Sequence, residues 1–475
     1  MHPQLRFALT AALVMLAANF LFRFIFFLYN IGTAEPLTFT KVFHAFWVGI
    51  RFDLATIAIC SGWILLISAL PLGIFRKKRA HSITIFLLIF TQVPVLLING
   101  LDVVYYGFSS KRLTHELFTS KGDAGAFTIH EMIPYWWLFL IFFITLYVMT
   151  RLLKRSASVQ RSRMLSEKGG GIHQWLMVLI FAGILFVAFR GGLQRRPLRP
   201  AMAFSTSSLF LGNVGLNSAY TVISCIDIGK EKPMNIVNQA EAVKEVRAHF
   251  HNEFDGPYVS EEYPLVRRAE FEGPEQHYNV VVLIIESLNA AKTGILTGKN
   301  PQESLTPNFD TLTKHGLLFS NYYSNASRSV EALPAILNSI PDIFRRPLIG
   351  STYETNATWG IGNILESRNY HTSFFCGGPN GTMGFDHYSA ISGFSHYFGK
   401  NEFPHDKTGL EGNWGLHDNP IMQWKGEEEG QFPEPFLSTF FSISNHHPFK
   451  IPGDCPEFIR RSDISDMEKT IMYTD

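Results

Sequence analysis

Residues Asn279–Glu286 read NVVVLIIE, a β-branched apolar run that ends in a carboxylate. A buried parallel strand reads this way. A carboxylate at the C-terminal edge of such a strand stands where open α/β sheets bind ligands. Glu286 is there either as a metal ligand or as a group satisfied by nearby backbone N–H. Ser329 lies in the stretch SNASRSVEALP, residues 324–334, just before a predicted helix over Glu331–Ser339. A hydroxyl in that place caps the helix. It also suits a nucleophile beside N–H dipoles that favour a bound phosphate, provided a base or a cation lowers its pKa. His446, in SNHHPF (444–449), follows a second buried apolar run, Phe436–Ser442. It therefore lies on the same sheet edge as Glu286, the arrangement of a shared site. Asp386 and His387, downstream of Gly377 and Gly378, carry a weaker signal. Trp414 and Asp418 carry a weaker one still, since a lone Trp usually packs.

The elements that position these residues alternate. Asn308–His315 reads as helix, Gly316–Tyr322 as strand, Glu331–Ser339 as helix and His371–Phe375 as strand. Strands alternating with helices predict a mainly parallel sheet. The four cysteines, Cys60, Cys225, Cys376 and Cys455, contain no CxxC pair, which argues against a metal cluster. Spacing alone leaves a Cys376–Cys455 disulfide open beside the plainer reading of unpaired thiols.

The first 190 residues are of another kind. The chain is 47% hydrophobic and 17% charged, against roughly 25% charged for a soluble domain. Its net charge of +1 gives no reason to expect nucleic acid as a partner. Five apolar runs approach bilayer length: Phe7–Tyr29, Leu54–Phe75, Ile83–Leu101, Ile133–Leu153 and Trp175–Phe189. Arg23 interrupts the first, which is costly in lipid unless it faces the bundle or snorkels. Pro94 interrupts the third, which neighbouring helices can accommodate. Basic residues cluster after the second run (Arg76, Lys77, Lys78, Arg79) and between the fourth and fifth (Arg151, Lys154, Arg155, Arg161, Arg163, Lys168). Both loops fall on the cytoplasmic face if the N-terminus does, which puts everything after Phe189 outside. Arg190, Arg195, Arg196 and Arg199 then sit outside, within reach of lipid phosphates. The expected organisation is a transmembrane bundle over 1–190, a connector over 191–276 with a short helix at Glu241–Phe250, and an α/β domain over 277–475.

Taken together, these pieces resemble the membrane-bound phosphoglycerol transferases of the lipoteichoic acid synthase type, within the sulfatase/alkaline phosphatase superfamily. The resemblance rests on several elements in order. They are the five spans, the Arg190-Gly191-Gly192 and Arg196-Pro197-Leu198 segment, and the strand ending in Glu286-Ser287. Thr306-Pro307-Asn308-Phe309-Asp310, Arg328-Ser329-Val330, the Gly-Gly…Phe385-Asp386 stretch, Trp414-Gly415 and Ser444-Asn445-His446 complete the order. It implies a bundle carrying an extracytoplasmic sulfatase-like α/β domain in a bacterial inner membrane. It implies one divalent cation, Mn2+ or Mg2+, held by Glu286 and Ser329 together with a later Asp-His pair. Ser329 would attack the phosphate of a phosphatidylglycerol-like lipid, and a glycan or glycolipid hydroxyl would then take the phosphoglycerol. His446, Arg328 and Asp386 are the implied substrate-binding residues.

The sequence departs from the family pattern in three places. The nucleophile is Ser rather than Thr, with Ser327 as a neighbouring alternative. The stretch Thr382-Met383-Gly384-Phe385-Asp386 lacks the substrate-binding Trp and Arg of the Gram-positive enzymes and is closer to Gram-negative relatives that modify periplasmic glucans. The chain stops at Met472-Tyr473-Thr474-Asp475, before the family's Asp-His-Gly element, so the domain reads as its first part only. Two other functions stay open. One is phosphoethanolamine transfer, and the other is a non-catalytic lipid-binding regulator of the same fold.

Overall fold

The computed structural model describes residues 2–475 except 34–36, 110, 115–132, 167–171, 195, 205–207, 226–236, 250–255, 270–272, 301, 344–346, 352, 409 and 454. Lys168 and Arg195 thus lie outside the described residues.

Among the described residues, five helices are long and apolar enough to cross a membrane. They are α1 (Pro3–Asn30), α2 (Phe39–Ala69), α3 (Lys78–Ser109), α4 (Trp136–Ser166) and α5 (Ile172–Arg190). Helix α1 packs against α2, α3 and α4, and their shared core includes Phe7, Met15, Phe22, Leu65, Leu88 and Leu153. Helix α2 begins at Phe39, well before the apolar run that starts at Leu54. Arg51 and Asp53 break the run in the sequence, and both are satisfied inside the fold. Arg51 donates to the Gly191 carbonyl at 3.1 Å. Asp53, fully buried, pairs with Arg23 at 2.5 Å. Arg23 therefore faces the bundle. Its guanidinium also donates to the carbonyls of Gly49 and Leu216, each at 2.8 Å, and to that of Val214. A buried charge needs this kind of full partnering.

The stretch after α5 supplies two of those carbonyls. Helices α6 (Leu209–Gly215) and α7 (Ser218–Cys225) are short and mostly buried against α2 and α3. Asn217, between them, donates to Asp53 at 2.8 Å and to Asn19 at 3.1 Å. A second buried pair, Arg112–Asp102 at 2.8 Å, ties to the same stretch through the Asn213 carbonyl and the Ser218 hydroxyl. Buried polar bonds thus dock α6 and α7 together with an apolar contact, in which Phe210, Leu211 and Val214 pack with Phe26 and Val103, and Tyr220 with Phe52. Residues 229–279 form a compact unit of their own. In it α8 (Gln239–His249) carries Arg247, which stacks 4.1 Å over Tyr258 and donates to the Pro264 carbonyl at 2.9 Å.

The C-terminal domain is built on a four-stranded parallel sheet in the order β1-β4-β2-β3. The strands are β1 (Val280–Ile284), β2 (His371–Cys376), β3 (His396–Phe398) and β4 (Phe436–Phe441). β4 is buried at every position, as a central parallel strand covered on both faces must be. Helices α9 (Pro307–Leu312), α10 (Ser329–Asn338), α11 (Ile361–Glu366), α12 (Phe385–Ile391), α13 (Asp418–Glu429) and α14 (Asp466–Thr474) connect and flank the strands. Leu333 and Leu337 of α10 reach a core with Phe374, Phe385, Tyr388 and Phe441. The strand expected at Gly316–Tyr322 does not form. Leu317 and Phe319 are 89% and 73% exposed, because the segment pairs with no strand and its alternation has no face to bury. None of the four cysteines is in a disulfide. Burial pushes the Cys376 thiol up to about 12, which leaves it unreactive.

Candidate functional site

β1 ends two residues before Glu286, and the edge of β4 fixes the chain beyond it. The Ser442 N–H donates to the Ile284 carbonyl at 3.0 Å, and the Ser442 hydroxyl accepts from the Glu286 N–H at 2.8 Å. Asn445, fully buried, donates from its side chain to the Glu286 carbonyl at 3.1 Å and accepts from Thr474 at 3.1 Å. These bonds hold the Glu286 backbone where its carboxylate projects from the sheet edge. Ser287 takes the left-handed region at φ 55°. That is a costly conformation for a residue with a Cβ, and such strain concentrates at functional sites. Its hydroxyl donates to Glu286 Oε1 at 3.0 Å.

Ser329 comes to the other carboxylate oxygen. It is the first residue of α10, and its Oγ donates to Glu286 Oε2 at 2.7 Å. The structure therefore brings together two residues 43 positions apart that the sequence singles out for one site. The capping task falls elsewhere. Arg328 is the N-cap residue, and Glu331 accepts from the Arg328 N–H at 3.1 Å. The Arg328 guanidinium, hydrogen-bonded to Glu331, holds that carboxyl below the usual carboxylate range. Arg328 is thus spoken for by its own helix. Ser327 also turns to Glu331, at 3.4 Å, and away from Glu286. Ser329 is left as the hydroxyl at a helix N-terminus with a carboxylate partner, and a helix N-terminus favours an incoming phosphate.

His446 lies just past β4. Its ring packs 4.1 Å from Trp414, whose indole N–H donates to the His447 carbonyl at 2.8 Å. Trp414, Gly415, His417, His446 and Lys450 line one small concavity. Trp414 matters more here than its sequence context suggests, and Lys450 has no sequence signal of its own. What marks them is a Trp, an imidazole and an ammonium around one loop, visible only once the loop closes. Asp418 closes it by accepting from the Ile443 and Ser444 N–H groups at 2.8 and 3.0 Å. Gly415 sits at φ +153°, and a Cβ there would lie 2.2 Å from the Gly377 carbonyl oxygen. Gly415→Ala should therefore cost about 1–3 kcal/mol in thermal unfolding and disturb the Trp414–His446 contact, read as a change in Trp fluorescence. Unchanged stability would contradict this account of the turn.

Asp386 stands apart from Glu286. Its carboxylate accepts from the Gly381 N–H at 2.8 Å and lies 3.6 Å from His387. The buried carboxyl it influences is Glu354, 6% exposed, which accepts from the Gly350 N–H at 2.9 Å. Burial pushes Glu354 up to about 7, against the pull of that N–H and of Arg199, and Asp386 adds to the rise. The folded state then holds the Glu354 proton more tightly than the unfolded chain does. That contribution is complete below the unfolded value near 4.5 and is lost as pH rises through about 7. We expect stability to fall by up to roughly 3 kcal/mol over that window. Glu354→Gln should flatten the profile in pH-dependent thermal unfolding, and an equally steep profile in the variant would refute the assignment.

Residues 278–475 match the sulfatase family. A lipoteichoic acid synthase-like protein of Bacillus subtilis is 22% identical over 225 residues, covering 46% of this chain and 35% of the relative. Lipoteichoic acid synthase 2 of the same organism is 21% identical over 390 residues, covering 80% of this chain and 55% of the relative. A crystal structure of an alkaline phosphatase superfamily protein from Vibrio parahaemolyticus aligns with 50% of this chain and 57% of its own, at 24% identity and a TM-score of 0.41. The chain spans about a third to just over half of the length of the curated relatives it matches.

Proposed function

We propose that this membrane protein, whose residues 278–475 form a sulfatase-type domain, carries a phosphotransferase site on Glu286 and Ser329. The site moves phosphoglycerol from a phospholipid such as phosphatidylglycerol to a hydroxyl of an extracytoplasmic glycan or glycolipid. The observation that carries this reading is the 2.7 Å hydrogen bond from Ser329 Oγ to Glu286 Oε2 at the start of α10. A serine hydroxyl bonded to a carboxylate is poised to lose its proton as it attacks. One curated relative is named lipoteichoic acid synthase 2 and another lipoteichoic acid synthase-like, which supports transfer chemistry of this class.

In the first half-reaction Glu286 accepts the Ser329 proton while Oγ attacks phosphorus. The bond from phosphorus to the diacylglycerol oxygen breaks, that oxygen takes the proton from Glu286 as it leaves, and phosphoglycerol stays on Ser329. In the second, Glu286 takes the proton of the acceptor hydroxyl as it attacks the same phosphorus, and returns it to Ser329 Oγ as the Ser329 ester bond breaks. His446 and Lys450, beside Trp414, meet the headgroup. Arg328 sets the start of α10 through Glu331, and Asp386 holds the Gly381–Gly384 turn. Glu286 and Ser329 also offer two hard oxygen donors of the kind Mn2+ or Mg2+ takes. Among the described residues no group of three His, Cys, Asp or Glu converges to complete such a site. When bound, a cation lowers the hydroxyl pKa and neutralises charge on the phosphate. With the N-terminus cytoplasmic, the basic residues after α2 and in the C-terminal half of α4 share one face and the domain lies on the other.

The reading predicts diacylglycerol release when the purified chain is incubated with phosphatidylglycerol vesicles and Mn2+ or Mg2+, and none from Ser329→Ala. Equal release from the two proteins would overturn it.

A further inference from the structure

A cavity of about 390 Å³ lies away from Ser329, where the segment after α5 and the end of α7 face the loop that carries Glu354. Its wall brings two opposite charges to one space. Arg199, exposed, comes from the bundle side, and Glu354, buried, comes from the domain side. The guanidinium acts on the carboxyl through space, yet among the described residues the two form no ion pair within 4 Å. Gly350 spaces them. It takes φ +93° and donates its N–H to Glu354, and a Cβ there would press to 3.4 Å from the Arg199 guanidinium. The hydroxyl residues Thr114 and Ser351 line the same space, and Leu198 and Pro200 add apolar wall. The volume falls in the range of small-ligand sites, and the mix of apolar wall with a few polar groups is theirs too.

A guanidinium and a buried carboxyl held apart across a cavity select a ligand that bridges them. The arginine end takes a phosphate oxygen, for which a guanidinium is the matched donor. The carboxyl end takes a group that donates a hydrogen bond. The Leu198 N–H donates to the carbonyl of Arg190, the last residue of α5, at 3.0 Å, so this wall of the cavity lies beside the end of the bundle. We propose that this cavity is a second ligand site, distinct from the Glu286–Ser329 pair, that holds a phosphodiester headgroup whose substituent bears an O–H or N–H donor, with phosphate on Arg199 and the donor on Glu354. The assignment makes a chemical prediction. Phosphoglycerol and phosphoethanolamine headgroups fit, and phosphocholine, whose nitrogen carries no hydrogen, does not. The site does not depend on the transfer reaction proposed above.

The test uses the full chain in phosphatidylcholine nanodiscs, with Ser329→Ala present to prevent turnover. Binding of added phosphatidylglycerol is read by native mass spectrometry, and binding of soluble glycerophosphoglycerol by calorimetry. Arg199→Gln, at an exposed position, is expected to weaken binding at least tenfold with an unchanged melting temperature, and Glu354→Leu to weaken it at the donor end with a lowered melting temperature, since the Gly350 N–H loses its acceptor. Loss on both the lipid and the soluble headgroup supports a site open to either source. Loss on the lipid, with no binding of the soluble headgroup to the parent, supports a lipid site. Unchanged affinity in Arg199→Gln overturns the proposal, as does a parent protein that binds neither ligand. Loss in Glu286→Gln but not in Arg199→Gln overturns it as well, by placing all binding at the Ser329 site.

Discussion

Replacing Ser329 by alanine is expected to reduce phosphoglycerol transfer by at least about a thousandfold, the scale on which enzymes lose activity when a covalent nucleophile is removed. Glu286→Gln keeps the shape and a hydrogen-bond acceptor for Ser329 Oγ but removes the base. Its expected loss is smaller, on the order of a hundredfold. Ser327→Ala should leave transfer within a fewfold of the parent, because the Ser327 hydroxyl bonds Glu331 rather than Glu286. This ordering is more discriminating than any single loss. A purely structural role for Ser329 would lower folded protein and rate together. A catalytic one lowers the rate with the melting temperature held. Rates normalised to folded protein check it, and a Ser327→Ala defect as deep as that of Ser329→Ala would move the nucleophile two residues back.

The second large effect lies in the bundle. Asp53→Ala is expected to cost about 3–5 kcal/mol, the penalty for leaving one partner of a buried ion pair uncompensated. Arg23 would keep its bonds to the Gly49, Val214 and Leu216 carbonyls. Its charge, 4% exposed, would have no counter-ion within the network. Asn217 would lose its acceptor on Asp53 as well, loosening α6 and α7. The double replacement Arg23→Met with Asp53→Leu should be much milder than either single change, since it removes both charges at once. Denaturant unfolding in detergent measures these costs. A single Asp53→Ala cost below about 1 kcal/mol would show that water or lipid headgroups reach Arg23 and that the pair is not sealed.

The strand ending at Glu286 is legible in the sequence as an unbroken β-branched run, and the helix after Ser329 by its apolar spacing, but the burial expected of that strand is not found: β1 is an edge strand whose Val281 and Leu283 are half exposed. Their pairing across 43 residues is expected from the sequence only through a shared cation and the family resemblance, and the fold supplies the contact. The true start of α2 is not legible, because Arg51 and Asp53 look like the end of a span. Their partners, Gly191 and Arg23, are distant in sequence. Gly316–Tyr322 misleads in the other direction. Alternation predicts a strand only when a neighbour exists to pair with it, and a single sequence does not show the neighbour. Trp414 and Lys450 are hidden for the same reason, since loop closure by Asp418 creates their proximity to His446. Arg199 is legible as one of the basic residues after the last span, whereas Glu354 carries no local pattern at all. Only the fold sets them across one cavity.

The most direct test of the Ser329 assignment is to trap the covalent intermediate. The purified chain is incubated with phosphatidylglycerol and divalent cation without acceptor, quenched in acid, digested and analysed by peptide mass spectrometry. The account predicts a mass increment of one phosphoglycerol on the peptide containing Ser329, fragmentation that puts it on that residue, its disappearance in Ser329→Ala and its roughly hundredfold slower build-up in Glu286→Gln. Diacylglycerol release with Ser329 unmodified, or an adduct on another residue, would contradict it.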